Sequence, residues 1–279
     1  MKSMHIAASH ALVSHLSTHR RVVALDSTDF TDVAAVVITA ADSRSGILSL
    51  LKRSDFNLPV YLLTDSDMAK PDGVTAIIGA GGKTTLLLAL ARELAQAARV
   101  IVTTTTHIYP PDGFPCLLQP GEAEIAAALE KHLCVCVGKP AKEGKITAAD
   151  VPVRTLAELA DYVLVEADGA HGRPAKAHAD YEPVVPPEAD QTILVFGLSA
   201  LGQPIRACVH RPAIFAARCG VSEDDLLTPE LAATFINDET PHTRVLLNQA
   251  DTAERLALGR GMAAMLRGPV CLGTFRRSG

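Results

Sequence analysis

The residues with the clearest chemical potential lie in a glycine-rich turn. The run GAGGKTT at positions 79–85 follows a short apolar segment and precedes a Leu- and Ala-rich segment of good helix formers. Glycines let backbone N–H groups turn inward, and a helix N-terminus adds partial positive charge. Lysine would reach the terminal phosphates and threonine would ligate Mg²⁺. We predict a phosphate-binding loop, with Lys83 also catalytic, made by Gly79, Ala80, Gly81, Gly82, Lys83, Thr84 and Thr85.

The spacing in this loop departs from the commonest phosphate-loop pattern. Ile77 stands where the pattern G-x-x-x-x-G-K-[ST] requires its first glycine. The shorter pattern G-x-x-G-K-[ST] fits Gly79 to Thr84 and resembles the ATP loop of the Mur-type peptide ligases. A Mg²⁺ complex of ATP or GTP is therefore the predicted ligand, and the NTPase class stays open. A glycine-rich turn with a solvated lysine is the alternative interpretation.

Two acidic residues follow an apolar run later in the chain. The predicted strand YVLVE ends at Glu166, and Asp168 comes two positions later. On an extended backbone both carboxylates would face one side, and Mg²⁺ prefers hard oxygen ligands. We assign the metal to Thr84 and Asp168, and catalytic roles to both acids, with Glu166 as base or second ligand. An acidic turn followed by glycine is the alternative.

Polar residues at two further places are candidates for contacting a substrate. Four consecutive threonines end the predicted strand 100–104 and precede a histidine, and a long, charged, proline-rich loop covers 173–187. Threonine hydroxyls could bond phosphate or substrate, and cations could clamp an anion. A β-propensity run and surface charges are the alternatives. The candidate substrate residues are Thr105, Thr106, His107, Arg173 and Lys176.

A base-recognition motif is suggested near the end of the chain. The apolar run RVLLN is followed by Gln-Ala-Asp, so that Asn248 and Asp251 have N-x-x-D spacing. This resembles the guanine-reading N-K-x-D motif of GTPases, with Gln249 in place of its lysine. A helix cap explains the same residues without a nucleotide.

Alternating apolar strands and helix-forming segments must position these residues. Such alternation predicts an α/β fold with a mostly parallel sheet, like a P-loop NTPase, over residues 73–279. Ligands then bind at the carboxyl ends of the strands. The predicted strands are 75–78, 100–104, 133–137, 162–166, 192–197, 244–248 and 269–273, and the predicted helices are 84–98, 122–132, 155–160, 211–218, 228–236 and 251–266.

Residues 1–70 form a separate predicted unit. Their pattern suggests a truncated, flavodoxin-like α/β fragment with a buried strand at 33–39, and the turn-forming run TDSDMAKPDG joins it to the rest. Residues 1–65 resemble the N-terminal wing domain of bacterial ornithine decarboxylase. That family carries its pyridoxal phosphate in a later, large domain, so the resemblance implies no decarboxylase activity here.

Composition narrows the functional classes. The net charge is −5 and aromatic residues make up 4% of the chain, with no Trp. We therefore expect no nucleic-acid partner, because such partners need basic surfaces or stacking aromatics. The sequence has no long apolar run or secretory leader, so we expect a cytoplasmic protein without a membrane partner. Its six cysteines are expected to be reduced, buried thiols.

A second resemblance covers residues 73–279. The segments GAGGKTT, VTTTTHIYPP, VEADGAHGRPAKAHADYEPVVP and LLNQAD, in this order, resemble the YqeC family. Its members are described as accessory proteins of selenium-dependent molybdenum hydroxylases. The resemblance implies a nucleotide-binding factor whose client is a molybdenum hydroxylase or its cofactor. We predict a Mg²⁺-dependent NTPase. A ligase or kinase-like transferase acting on a small acid, and a nucleotide switch without turnover, are alternatives.

Overall fold

A computed structural model describes residues 37–40, 73–239 and 242–275 of the chain. The predicted flavodoxin-like fragment at 1–70 lies outside the described residues, apart from the strand at 37–40. The residues that carry the predicted chemistry are all within the described part.

The described residues form a sheet of ten strands and a separate two-stranded ribbon. The strands are β1 Val37–Ala40, β2 Gly73–Gly79, β3 Val100–Thr104, β4 Cys116–Leu118, β5 Cys134–Pro140, β6 Ile146–Thr147, β7 Tyr162–Glu166, β8 Ala175–Lys176, β9 Gln191–Gly197, β10 Val209–His210, β11 Arg244–Asn248 and β12 Val270–Phe275. The helices are α1 Lys83–Leu94, α2 Glu122–Lys131, α3 Val153–Leu159, α4 Ile205–Cys208, α5 Pro212–Cys219, α6 Pro229–Asn237 and α7 Ala253–Ala263.

The strand order explains where a ligand can bind. The large sheet runs β1-β12-β11-β9-β2-β7-β3-β5-β4, and β6 is added antiparallel to β5. All pairings along this path are parallel. The chain builds strands on one side of β2 and then on the other. Their carboxyl ends meet at one edge, and the crevice beside β2 is the expected ligand position.

Alternating side chains of the strands build an apolar layer on each face of the sheet. Ile77 points into a cluster with Leu86, Leu87 and Leu90 of α1. On the other face of β2, Val74 belongs to a cluster with residues of α2 and α3. Ala76 and Ile78 belong to a cluster with residues of α5, α6 and α7. Helices therefore cover both faces, as expected for a parallel sheet, and the predicted α/β class is confirmed.

The predicted elements differ from the observed ones mainly at their ends. The predicted helix 84–98 ends at Leu94, and the predicted helix 251–266 is limited to Ala253–Ala263. The sequence did not predict β4, β6, β8, β10 or α4. These elements have two to four residues each, which is too short for a recognisable periodicity. In residues 73–239 and 242–275, no helix has the length and apolarity needed to cross a bilayer.

Candidate functional site

The glycine-rich turn connects the carboxyl end of β2 to the start of α1. Gly79, Gly81 and Gly82 have φ angles of 90°, 87° and 127°, a region that non-glycine residues rarely adopt. The neighbouring backbone is also very close, since a Cβ on Gly79 would lie 2.3 Å from the Val195 oxygen. The turn therefore requires glycine for conformation as well as for space.

An amide side chain from β11 holds the middle of the turn. Asn248 is 1% exposed, and its Nδ2 donates a 2.8 Å hydrogen bond to the carbonyl of Gly81. The Gln249 side chain donates to the same carbonyl over 3.3 Å. These two hydrogen bonds hold the Gly81 carbonyl against the end of β11. That end of β11, although distant in sequence, therefore supports the loop.

Lys83 is the first residue of α1 and is 5% exposed. Its Nζ donates to the Gly79 carbonyl over 2.7 Å and lies 3.0 Å from Asp168 Oδ1. Glu166 Oε1 is farther away, at 3.9 Å. The ammonium therefore sits at the inner side of the loop between two carboxylates.

Asp168 connects the loop to the residues behind it. Its side chain is 0% exposed, and Oδ2 accepts the Gly79 N–H over 2.8 Å. His178 Nε2 lies 2.6 Å and Lys176 Nζ 3.4 Å from the same oxygen. Oδ1 is buried and accepts no hydrogen bond from the described residues, so Lys83 attracts it only electrostatically. Burial acts to raise the pKa of Asp168, but Lys83, His178 and Lys176 outweigh it and lower that pKa to about 2.

Glu166 contacts Thr84, the first of the two threonines of the loop. The Thr84 hydroxyl donates a 2.8 Å hydrogen bond to Glu166 Oε2. Burial raises the pKa of Glu166, and the partly opposing effects of Lys83 and Thr84 do not cancel it. The sequence assigned the metal to Thr84 and Asp168, with Glu166 as base or second ligand. In the structure Thr84 contacts Glu166, which ends β7, while Asp168 turns back towards Gly79. The metal assignment stays a prediction.

Two chains of charged groups lead outward from Asp168. In the first, His178 Nδ1 lies 3.6 Å from Glu239, whose other oxygen is 3.0 Å from Arg218. Burial acts to lower the pKa of His178, but the hydrogen bond to Asp168 and the negative charges of Asp168 and Glu239 raise it overall. Asp168 is therefore in contact with a buried imidazole of raised pKa as well as with lysine.

In the second chain, Lys176 lies 2.8 Å from Glu182, which also pairs with Arg211. Glu182 would have a higher pKa through burial alone, but Arg211 and Lys176 lower it. Sequence reasoning missed His178, Glu182, Arg211, Glu239 and Arg218. The alternation of Lys176 and His178 in the charged loop was a signal that both face one side.

The other predicted substrate residues occupy less central positions. Thr105 donates its hydroxyl to the Val184 carbonyl over 2.7 Å, and the Thr106 N–H bonds to the Thr104 hydroxyl over 3.0 Å. His107 is exposed, and the Arg173 guanidinium donates to the Ala207 carbonyl. Of the five candidates, Lys176 alone contacts Asp168 in the described structure. Their role in substrate binding stays a prediction.

The two residues of the predicted base-recognition motif make different contacts in this structure. Asn248 supports Gly81, whereas Asp251 lies 2.6 Å from Arg255 on the first turn of α7. Thr252 caps that helix through the N–H of Arg255. Base recognition by these residues therefore stays a prediction. The N-cap of α7 is Thr252, the residue after Asp251, and not Asn248 or Asp251.

The donor set of this site fits a Mg²⁺–nucleotide complex. In residues 73–239 and 242–275 no three Asp, Glu, His or Cys side chains converge as metal ligands. Mg²⁺ needs no such cage, because it is bound by one or two protein oxygens together with phosphates and water. Thr84 and Glu166 supply such oxygens, and the unbonded Asp168 Oδ1 leaves a buried acceptor beside Lys83.

Comparison with known proteins identifies two families in the chain. Residues 75–213 match the family described as YqeC protein. Escherichia coli YqeC is 35% identical over 178 residues, which are 61% of this chain and 69% of that protein. The chain belongs to the YqeC family. Because the family match begins in β2, it includes the glycine-rich turn, both acids and the loop with Lys176 and His178.

The N-terminal residues match a different family. Residues 4–78 match the N-terminal domain of Orn/Lys/Arg decarboxylases. Constitutive ornithine decarboxylase of Escherichia coli is 72% identical over 78 residues, 28% of this chain. Ornithine decarboxylase of Haemophilus influenzae is 36% identical over 72 residues, 25% of this chain. The chain spans 11% and 10% of the lengths of these two enzymes. The chain is therefore a YqeC family member fused to an ornithine decarboxylase N-terminal fragment.

Gly82→Ala should destabilise the protein by about 2–4 kcal/mol, because it combines backbone strain with a clash. The new Cβ would lie 2.2 Å from Asn248 Nδ2 at a φ of 127°. Urea unfolding measures the change in free energy. Gly144→Ala is the matched control, since Gly144 has a φ of 70° and no atom within 4 Å, so it costs about 1–2 kcal/mol of strain. Equal losses in the two variants would contradict the proposed packing of Asn248 against the turn.

Proposed function

We propose that this chain is a Mg²⁺-dependent nucleoside triphosphatase that binds ATP or GTP at residues 79–85. The observation that carries the proposal is the convergence of Lys83, Thr84, Glu166 and Asp168 on one glycine-rich turn. Each contact joins the turn to a strand end of a parallel sheet, where such folds bind ligands. A solvated lysine, the alternative interpretation, fits poorly with a Lys83 that is 5% exposed.

Lys83 would bind the β- and γ-phosphates. Its ammonium already lies beside the loop carbonyl of Gly79, and a phosphate would replace that carbonyl and Asp168 as its partner. The N–H groups at the start of α1 face the same region without side-chain caps, and such groups bind anions. Asp168 would keep Gly79 in place while Lys83 changes partner, because its other oxygen already accepts the Gly79 N–H.

Thr84 and Glu166 would hold Mg²⁺, which neutralises negative charge on the phosphates when bound. The 2.8 Å bond between these residues keeps their oxygens together. Glu166 is also the candidate for accepting a proton from the attacking water, since its carboxylate lies beside Thr84 and Lys83 at the loop. Lys176 is near enough to Asp168 to add positive charge behind the loop.

The biological role that we propose is that of an accessory protein. The support for this is the resemblance to the YqeC family, whose members are described as accessory to selenium-dependent molybdenum hydroxylases. Turnover of the nucleotide would drive docking or release of a molybdenum hydroxylase or its cofactor. We propose a cytoplasmic location, and we propose that the N-terminal decarboxylase-like fragment takes no part in catalysis.

A calorimetric binding panel with ATP, GTP, ADP and GDP, each with and without Mg²⁺, tests the proposal on the whole chain. We expect one triphosphate to bind in a Mg²⁺-dependent manner, and Thr84→Val to lose the Mg²⁺ dependence while keeping the fold. Thr234→Val, on α6, is the matched control. Absence of binding by all four nucleotides would refute the proposal.

The same preparation separates hydrolysis from the two alternatives. Phosphate release with no acceptor present supports an NTPase. Release that requires an added small acid would favour a ligase or kinase-like transferase. Binding of the triphosphate without any release over hours would favour a nucleotide switch.

A further inference from the structure

Two cysteines on neighbouring strands lie directly opposite each other. Cys116 of β4 and Cys136 of β5 are register partners in a parallel pair. Paired strands are about 4.8 Å apart, and disulfides accept Cα separations of about 4.4–6.8 Å. Both side chains belong to the same apolar layer that faces α1. The backbone therefore already holds these two residues at a distance that an S–S bond can span.

The two thiols differ in their surroundings in the way that a reactive pair requires. Cys116 is partly exposed on the edge strand, whereas Cys136 is fully buried. The neighbouring Cys136 lowers the pKa of Cys116, although burial opposes it. The neighbouring thiols and burial raise the pKa of Cys136. An accessible cysteine of lowered pKa next to a buried thiol is the arrangement found in peroxide-sensitive cysteine pairs.

The other described cysteines lack this combination. Cys134 is buried and its register partner is Val100, and burial raises its pKa to about 12. Cys219 is partly exposed like Cys116, but burial raises its pKa. Cys219 is therefore an internal control for exposure without activation.

We propose that Cys116 and Cys136 form a reversible disulfide when the protein meets a peroxide. The Cys116 thiolate attacks one peroxide oxygen, so that an S–O bond forms and the O–O bond breaks, and the departing hydroxide becomes water by taking up the proton that the Cys116 thiol lost on ionising. The Cys136 sulfur then attacks the Cys116 sulfenic acid, so that the S–S bond forms and the S–O bond breaks. The departing oxygen leaves as water with the proton of Cys136. Two thiols are oxidised and one peroxide is reduced to two waters, and an added dithiol reverses the change.

Mass spectrometry of the full chain after treatment with hydrogen peroxide tests this proposal. Free thiols are blocked by alkylation before digestion with trypsin. We expect the peptide 100–131 to be linked to 132–142 with the loss of two hydrogen atoms, and dithiothreitol should remove the link. Cys134→Ser should retain it, and Cys136→Ser should abolish it.

A second measurement keeps the proposal testable if Cys136→Ser disturbs the core. Dimedone, which reacts with sulfenic acids, should label Cys116 in Cys136→Ser and should leave Cys219 unlabelled at the same peroxide concentration. Cys116→Ser, on the edge strand, should lose both the link and the label. A link that persists without Cys116, or equal labelling of Cys219, would overturn the proposal.

Discussion

Lys83→Ala is expected to weaken triphosphate binding by about 100-fold, which corresponds to about 3 kcal/mol. The reason is the loss of a charge-assisted contact to phosphate from a side chain that the fold buries beside the loop. Calorimetry with the preferred Mg²⁺–nucleotide measures the loss. Much of the fold should survive, because Asp168 retains its contacts with Lys176 and His178.

Lys131→Ala provides the matched control for this change. Lys131 is an exposed lysine at the last turn of α2, far along the sequence from the loop. Its removal deletes the same charge and should leave the affinity unchanged. Equal affinity in Lys83→Ala and the wild-type protein would refute the assignment of the phosphate site, even if the protein binds nucleotide elsewhere.

Asp168→Asn is expected to destabilise the fold by about 3–5 kcal/mol, because it removes one partner from a buried set of charges. The amide keeps the size of the carboxylate but leaves Lys83 and His178 without its negative charge. Urea unfolding at neutral pH measures the difference. Asp150→Asn is the control, since Asp150 pairs with Lys139 at the surface with a side chain 62% exposed. Such a pair contributes about 0–1 kcal/mol.

The same variant should change the response to acid. The folded pKa of Asp168, about 2, lies below its value in an unfolded chain, about 3.9. Its stabilising effect is therefore present above about pH 4 and is lost as the pH falls towards 2. Between these pH values the wild-type protein should lose its advantage over Asp168→Asn. A constant difference between the two proteins across this range would contradict the role of the ionised carboxylate.

Most of the fold was predictable because its strands are long apolar runs. Strands such as Tyr162–Glu166 and Arg244–Asn248 have the predicted bounds, since burial on both faces of a parallel sheet demands continuous hydrophobicity. The ribbon of β8 and β10 was not predictable. Each of its strands has two residues, and they pair only because the long loop after Asp168 folds back on the chain.

The membership of the candidate site was more predictable than its contacts. Glycine, lysine, threonine and acids at strand ends marked Lys83, Thr84, Glu166 and Asp168 as neighbours. Which acid contacts which loop residue depends on the turn after β7, and no local pattern reports it. His178 and Glu239 are 61 residues apart, so their contact depends on the packing of α6 against the sheet.

The hydrogen bond between Asn248 and Gly81 joins residues that are 167 positions apart, and this has a consequence for synthesis of the protein. A ribosome makes Gly81 of the glycine-rich turn 167 residues before it makes Asn248 of β11. Until then the carbonyl of Gly81 lacks its amide partner. Contacts of such long range form late and slow folding. The nascent chain would therefore carry a loosely held turn until β11 emerges and joins the sheet.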